Sequence, residues 1–566
     1  MARAAILIRA RDCKIGAGTD APHQPKAQHV DNSKMNLTRK IAIIGAGPMA
    51  IYTAKGLLHG DTPLDLTIFD ATDQVGCGMP YRAGMNADYM YCNAFSREIP
   101  SITQPLVAWL HDQDDAFLNA WDLAQDDIDA RDFYPRVLLG EYMKSEFEQL
   151  CEAGRNAGHG VHVLPNHKVV DVIPTESTIK LEVLTPDGPS SFAFDKVVLA
   201  TGHDWPAAPK LGGADLVSPW PYTNITALPA GEIGVLGSSL SAIDVIVALG
   251  KEHGTFIEDG EKVSWFSNPD SEALSITMVS HKGIMPEPDF YYPYPYEALK
   301  HVNPDAISAE LENGNDALLQ RVFALLLAEL NDAAPEYMET LGPDAQSIDG
   351  FSEAYFRRRE TVGGLRALRE TLTAAVKSKD HKETQHHRYA LLRGHENFEM
   401  ILEHLSDKDW QVFNEKLMPV FGDCYAAIPH ISVRRVLALY DAGVLQIIPT
   451  GPESSFENSP SGGVSVQTID GKIDFDALID ARGQAAAPLA KLPFPGLVGR
   501  LAEPDKDLFE PFKLDLSVQT DGAVYCLSMP QVLKRHPFSQ GLPNCDDLGR
   551  VVAKDILDSI EGSAPS

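Results

Sequence analysis

Six consecutive residues, Gly45, Ala46, Gly47, Pro48, Met49 and Ala50, carry the small side chains that let a phosphate approach a peptide backbone. Gly45 permits a tight turn, Gly47 clears space for a pyrophosphate, and Ala50 lets a helix lie close to the strand before it. Pro48 opens that helix where no N–H donor is needed. The chemistry predicted is anion binding at a helix N-terminus. A second apolar strand, DLTIFD, ends in Asp70, whose carboxylate would accept hydrogen bonds from adenosine ribose hydroxyls. A purely structural glycine turn, with Asp70 as a solvated strand end, leaves the order strand, turn, helix, strand, acid unexplained. A bound dinucleotide explains it.

A second set of such residues lies further on. The stretch GEIGVLGSSLSAIDVIVAL, 231–249, predicts a strand, the turn Gly237-Ser238-Ser239 and a helix. Gly237, Ser239 and Ala242 keep the turn small, although Ser239 stands where a second glycine is usual. The strand SITMV then ends in Ser280-His281-Lys282, with no acid. A hydroxyl, an imidazole and an ammonium there suit a 2′-phosphate, which favours NADPH while leaving NADH possible. The competing reading is a polar strand end that meets no ligand.

An internal repeat says what positions these loops. Residues 160–202 and 443–483 share one layout: a short strand, a meander of alternating strands, and an apolar strand closing on Thr201-Gly202 or Arg482-Gly483. Each reads as the end of its own dinucleotide domain. The expected fold class is therefore α/β, with two nested Rossmann-like dinucleotide-binding domains and a helical insertion. The first domain takes residues 39–230 plus 484–566 and the second 231–285 plus 443–483. The insertion takes 286–442, where Leu318, Val322, Leu325, Leu326 and Leu330 share a helix face, and it is the expected substrate region. Within it, Tyr291, Tyr292, Tyr294 and Tyr296 read as a cavity entrance or as a packing edge. Arg357, Arg358, Arg359, Arg366 and Arg369 read as a solvated helix face rather than an anion site. His381, His386, His387 and His395 lack metal-ligand spacing, so no metal is expected.

Composition narrows the partners. With 566 residues, 44% of them hydrophobic, the chain has material for several cores, and its net charge of −31 opposes nucleic acid and anionic membranes. No apolar run reaches membrane-spanning length. Seven cysteines, Cys13, Cys77, Cys92, Cys151, Cys424, Cys526 and Cys545, are scattered without a CxxC pair, which reads as a cytosolic chain without structural disulfides. Residues 1–38 read as a disordered extension ahead of a natural start at Met35. Oligomeric state has no signature here.

Further segments carry a resemblance. QVGCGMPY (74–81), YCNAFSREIPSI (91–102), FYPRVLLGEYMKSEF (133–147) and LATGHDWP (199–206) resemble, in order, segments of the flavin-containing monooxygenases and N-hydroxylases, and more closely a bacterial family of FAD-NAD(P)-binding proteins. The resemblance implies FAD in the first domain. It places Gly76 and Gly78 beside the cofactor, Asn93 at the flavin ring, Arg136 on the helix before the meander, and Thr201 and Gly202 at the strand-end turn. Asn93 has a second reading, as a turn cap. The C-terminal stretch predicts a helix starting near Asn544 to Asp546, its N-terminus aimed at the flavin pyrimidine. One departure stands out, since Cys526-Leu527-Ser528 replaces the Gly-Asp that usually holds the ribityl chain.

The implied function is an FAD-dependent, NAD(P)H-using monooxygenase that acts on a small molecule with molecular oxygen through a flavin C4a-peroxide. The alternatives are a flavin reductase or oxidase without oxygen transfer, and a non-catalytic FAD-binding partner protein. A disulfide reductase is disfavoured, because Cys77 and Cys92 are too far apart for its redox pair.

Overall fold

The structure, a computed structural model, describes residues 39–425, 427–451, 454–460 and 462–562; the extension expected over 1–38 lies outside them. The strands that position the site are, in chain order, β1 (Arg39–Ile44), β2 (Leu64–Phe69), β3 (Gly160–Leu164), β4 (Lys196–Leu199), β5 (Glu232–Leu236), β6 (Ser275–Ser280), β7 (Leu445–Pro449), β8 (Ala477–Asp480) and β9 (Ala523–Cys526). The helices that matter most are α1 (Pro48–Leu58), α2 (Arg136–Asn156), α3 (Leu240–His253) and α4 (Leu542–Glu561).

Two parallel sheets result, in the order β9-β4-β1-β2-β3 and β7-β6-β5-β8. The fold is α/β, with one Rossmann-like unit nested in the other, since β5 to β8 lie in the chain between β4 and β9. Parallel strands covered on both faces need unbroken apolar runs, and Ile41, Ala42, Ile43 and Ile44 are all buried. Ile44 lies level with Phe69 on one side and Leu199 on the other, so the loops at Gly45, Asp70 and Ala200 share one edge. The second sheet repeats this, with Leu236 level with Val279 and Asp480. Each sheet thus presents the carboxyl ends of its central strands, where α/β folds bind ligands.

The meanders are real three-stranded antiparallel sheets. Lys168–Pro174, Ile179–Thr185 and Gly188–Phe194 lead into β4, while Ser455–Asn458, Val464–Thr468 and Gly471–Phe475 lead into β8. α4 closes the molecule by lying on α1. Glycines allow the close contact: a Cβ on Gly56 would come within 2.6 Å of Ala553 Cβ, and one on Gly549 within 2.7 Å of the Thr53 nitrogen.

The segment 286–442 is helical and has its own core, in which Val322, Leu326, Leu330, Phe351, Phe398 and Phe421 meet. Leu325 is only partly buried at its edge. Two of its helices pack elsewhere: Gly364–His381 and His430–Asp441 place Leu365, Leu368, Leu372, Val433 and Val436 in the core of the second sheet. Arg359 departs from the solvated face expected of it. Its guanidinium is buried against Asp423 at 2.7 Å, and Arg388 pairs with Glu287 at 2.8 Å beside it, while Arg357 and Arg358 are exposed. Among the described residues, no helix is long and apolar enough to cross a membrane, and no group of His, Cys, Asp and Glu could hold a metal ion.

Candidate functional site

The first loop is built so that only glycine serves at its start. Gly45 has φ of 106°, and a Cβ there would lie 2.2 Å from the Ala200 carbonyl oxygen. Gly47 follows as the N-cap of α1 with no side chain capping the helix, which leaves the first turn open to an anion. Pro48, Met49 and Ala50 form that turn. The segment Gly76-Cys77-Gly78 folds back onto it: the Gly76 N–H donates to the Ala46 carbonyl at 2.9 Å, and a Cβ on Gly47 would stand 3.2 Å from the Gly78 Cα. Asp70 accepts from the Ala46 N–H at 3.0 Å and from the Thr72 N–H at 2.9 Å. Its carboxylate therefore sits at the loop with one oxygen on each neighbour. The glycine cradle and the uncapped helix fit a dinucleotide.

At the far end of the same strand edge, Thr201 is held by Ser528, from the strand end that departs from the usual Gly-Asp. Its hydroxyl lies 2.8 Å from the Ser528 hydroxyl, itself buried beyond β9, and Gly202 accepts from the Met529 N–H at 3.2 Å. Ser528 thus puts a hydroxyl, not a carboxylate, beside the Thr201 turn.

A cavity of about 1800 Å³ opens beside these loops. Asn93, Arg136 and Asn544 line it, as do Ser238, Ser239, Ser280 and Lys282. Gly45 to Ala50, Asp70, Gly76, Gly78, Thr201, Gly202, Gly237 and Asp546 are not on its walls; Asp546 turns instead to Lys55 on α1, 3.0 Å away. α4 begins at Leu542, capped by Gly541 and with Pro543 in its first turn, two residues ahead of the expected start. Proline in the first turn was the available signal.

Asn93 is exposed to the cavity, and its side chain makes no hydrogen bond among the described residues. Arg136 has a partner that the sequence did not announce. Its guanidinium meets Asp244 Oδ2 at 2.6 Å, with the two side chains 15% and 8% exposed, so the start of α2 is tied to α3 of the second unit. Burial raises the Asp244 carboxyl above the ordinary carboxylate range, and the Arg136 charge pulls against it.

The second loop repeats the first. Gly237 has φ of 120°, and a Cβ there would meet the Ala481 carbonyl oxygen at 2.7 Å. Ser239 caps α3 without a side-chain hydrogen bond, and residues Ser238 to Ser241 open into the cavity. At the end of β6, the Ser280 hydroxyl accepts from the Gly283 N–H at 3.1 Å. The Lys282 ammonium contacts Glu360 at 2.8 Å and lies 4.8 Å over the Phe356 ring. Arg482, after β8, is held by Asp480 through two contacts of 2.8 Å.

Glu98 is the functional candidate that sequence reading missed. The hydroxyls of Tyr292 and Tyr296 donate to its Oε1 at 2.6 and 2.8 Å, and the Phe95 N–H donates to its Oε2 at 3.3 Å. The tyrosine strip is thus a clasp onto the Asn93 segment as well as part of the cavity wall. Burial pushes the Glu98 carboxyl up to about 7, against the pull of the two tyrosine hydroxyls. The native state therefore holds a proton that the unfolded chain gives up near pH 4.5, so stability from this group is full below that pH and is lost as pH rises through about 7. Glu98→Gln should remove that loss. In urea unfolding, the variant is expected to gain on the wild type between pH 5 and pH 8, by up to about 3 kcal/mol; parallel pH profiles would refute the assignment.

Among the described residues Cys77 and Cys92 are free and buried, and burial pushes the Cys92 thiol up to about 12.

Residues 42–204 match a family model described as FAD-NAD(P)-binding, and residues 303–425 match the YdhS-like middle domain. The chain is 36% identical over 523 residues to "Uncharacterized protein YdhS" of Escherichia coli (strain K12), covering 92% of this chain and 97% of that protein. Among solved structures it resembles the Kutzneria sp. 744 ornithine N-hydroxylase (13% identity, TM-score 0.48, covering 93% of this chain and 100% of that one). It also resembles the ornithine hydroxylase from Pseudomonas aeruginosa (11% identity, TM-score 0.48, covering 92% and 99%).

Proposed function

This chain belongs to the YdhS family, and we propose that it is an FAD-dependent, NAD(P)H-oxidising monooxygenase of a small molecule. It is an oxidoreductase with FAD and NAD(P)H as its cofactors. One observation carries the finer reading: a single cavity of about 1800 Å³ is walled by Asn93 and Arg136 from the first unit, by the open N-terminus of α3 from the second, and by helices of the insertion. A pocket for one small ligand measures roughly 300–1,000 Å³, so this one has room for the reacting ends of two cofactors and a substrate together.

Bound FAD would supply the hydride-accepting and dioxygen-reducing chemistry, held by the Gly45–Ala50 loop. The chain's own residues do the rest. The first turns of α1 and α3 bind pyrophosphates through free N–H groups. Asn93 offers an unengaged amide to whatever oxygen stands over it. Arg136 and Asp244 keep the two nucleotide units in register. Glu98, neutral or charged near pH 7, can hold or release a proton at Oε1 or Oε2, and the tyrosine clasp over it limits the access of water. Residues 39–230 with 484–566 serve FAD, 231–285 with 443–483 serve NAD(P)H, and 286–442 selects the substrate.

Anaerobic mixing of the flavin-loaded protein with NADPH, and separately with NADH, tests this. Bleaching of the flavin band is expected with both, faster with NADPH, followed on admission of oxygen and substrate by product carrying one oxygen atom from ¹⁸O₂. No bleaching would exclude an NAD(P)H oxidoreductase. Peroxide formed in step with NADPH use, whatever substrate is offered, would make the protein an oxidase.

A further inference from the structure

We infer that Glu360, on the insertion helix Ile348–Val362, is a specificity-determining residue that restrains the choice of NADPH over NADH by occupying Lys282. The inference rests on the reading of the second loop as a nicotinamide-dinucleotide site. In Rossmann folds, the side chains just past the second strand of the unit meet the adenosine ribose, and a cation there pairs with a 2′-phosphate. In this chain that strand is β6, and Ser280, His281 and Lys282 line the cavity at its end. Lys282 is the ammonium available for the phosphate, yet it is already engaged.

Two residues of one helix hold it. Glu360 Oε1 stands 2.8 Å from the Lys282 nitrogen, and Phe356, one turn earlier on the same face, has its ring 4.8 Å below. Phe356 is buried and fixed, so the aromatic contact orients the lysine stem; Glu360 is the movable part. Both charged side chains are close to 40% exposed, at 37% and 38%, so water screens the pair and breaking it is cheap. A 2′-phosphate arriving at Lys282 meets a carboxylate that repels it and must give up its cation. NADH, with a plain 2′-hydroxyl, meets neither obstacle, and its hydroxyl can donate to a carboxylate. Arg482, which lines the same cavity, is held by Asp480 in a two-contact pair within its own loop, and Arg359 is held by Asp423, so neither relieves the competition. An acid supplied from the insertion thereby does part of what an acid at the strand end does in NADH-selective domains.

Equilibrium binding to the oxidised, FAD-loaded full-length protein tests this without turnover, using NADP⁺ and NAD⁺ in calorimetric titrations. Glu360→Gln should tighten NADP⁺ about fivefold, the scale on which exposed ion pairs act, and leave NAD⁺ within twofold. Lys282→Met should weaken NADP⁺ and spare NAD⁺; in that background Glu360→Gln should lose most of its effect, because the two residues act through one contact. Unchanged NADP⁺ affinity in Glu360→Gln, or equal shifts for both nucleotides, overturns the role of Glu360 while leaving the nucleotide site standing. Binding of neither nucleotide to the wild type overturns the site and the inference together.

Discussion

Arg136→Leu should lower the unfolding free energy by about 3–5 kcal/mol, because it leaves the Asp244 carboxylate buried without its cation. The geometry makes this a costly polar change at the site. The pair is 2.6 Å long, neither side chain is more than 15% exposed, and its members come from α2 of the first unit and α3 of the second. The leucine offers the carboxylate no donor. The double variant Arg136→Leu/Asp244→Leu removes the stranded charge and should recover most of the loss. Denaturant midpoints of the wild type, both single variants and the double variant at pH 7 measure this; a double variant no better than Arg136→Leu would show that the cost lies in packing. The same set has a second readout, since Arg136 lines the cavity. The stable double variant should still lose nucleotide-dependent flavin reduction if the pair holds the two units in register.

Gly45→Ala is the second large effect. The added Cβ would lie 2.2 Å from the Ala200 carbonyl oxygen, a main-chain atom that cannot rotate away, at a φ of 106° that L-residues rarely adopt. The loop must open between β1 and β4, which removes the cradle for a pyrophosphate. We expect a chain that purifies without yellow colour and is destabilised by roughly 2–4 kcal/mol. Gly84→Ala is the control: its φ of 84° carries similar backbone strain, but a Cβ there has no atom within 4 Å. It should cost about 1 kcal/mol and keep its flavin. The ratio of flavin absorbance to protein, with thermal midpoints, separates the two. Equal flavin content in both variants would show that the Gly45 turn does not shape the flavin site.

What could be read from the sequence was what is local. Gly45 to Ala50 announce a loop because the turn, the phosphate approach and the helix packing each act within a few residues. Gly237 to Ser239 were readable because the repeated meander required a second loop at that place. Lys282 was readable as a cation at a strand end. Its partner Glu360 was not, since the contact spans 78 residues and depends on how the insertion helix lies. The same reason hid the Arg136–Asp244 pair and the Tyr292–Glu98 clasp. Arg359 misled for a related cause: a run of arginines is usually solvated, and only the approach of Asp423, 64 residues on, makes one of them a core residue. The start of α4 lies two residues ahead of Asn544, because Gly541 and Pro543 set the boundary.

The nesting of the two sheets also sets an order of assembly. During synthesis, every strand of the second sheet has emerged by Asp480, while the first sheet still lacks β9 (Ala523–Cys526) and the helix Leu542–Glu561 that covers α1. The unit whose strands appear first is therefore the last to be completed, and Gly56 and Thr53 on α1 have no covering layer until the ribosome has nearly finished. Domains generally fold as they emerge, so the half-made first unit must be sheltered while the inner one folds. Nascent chains halted near residue 500 should accordingly contain a protease-resistant inner core flanked by a cleavable N-terminal portion, and a chaperone that binds apolar helix faces would find α1 as its foothold.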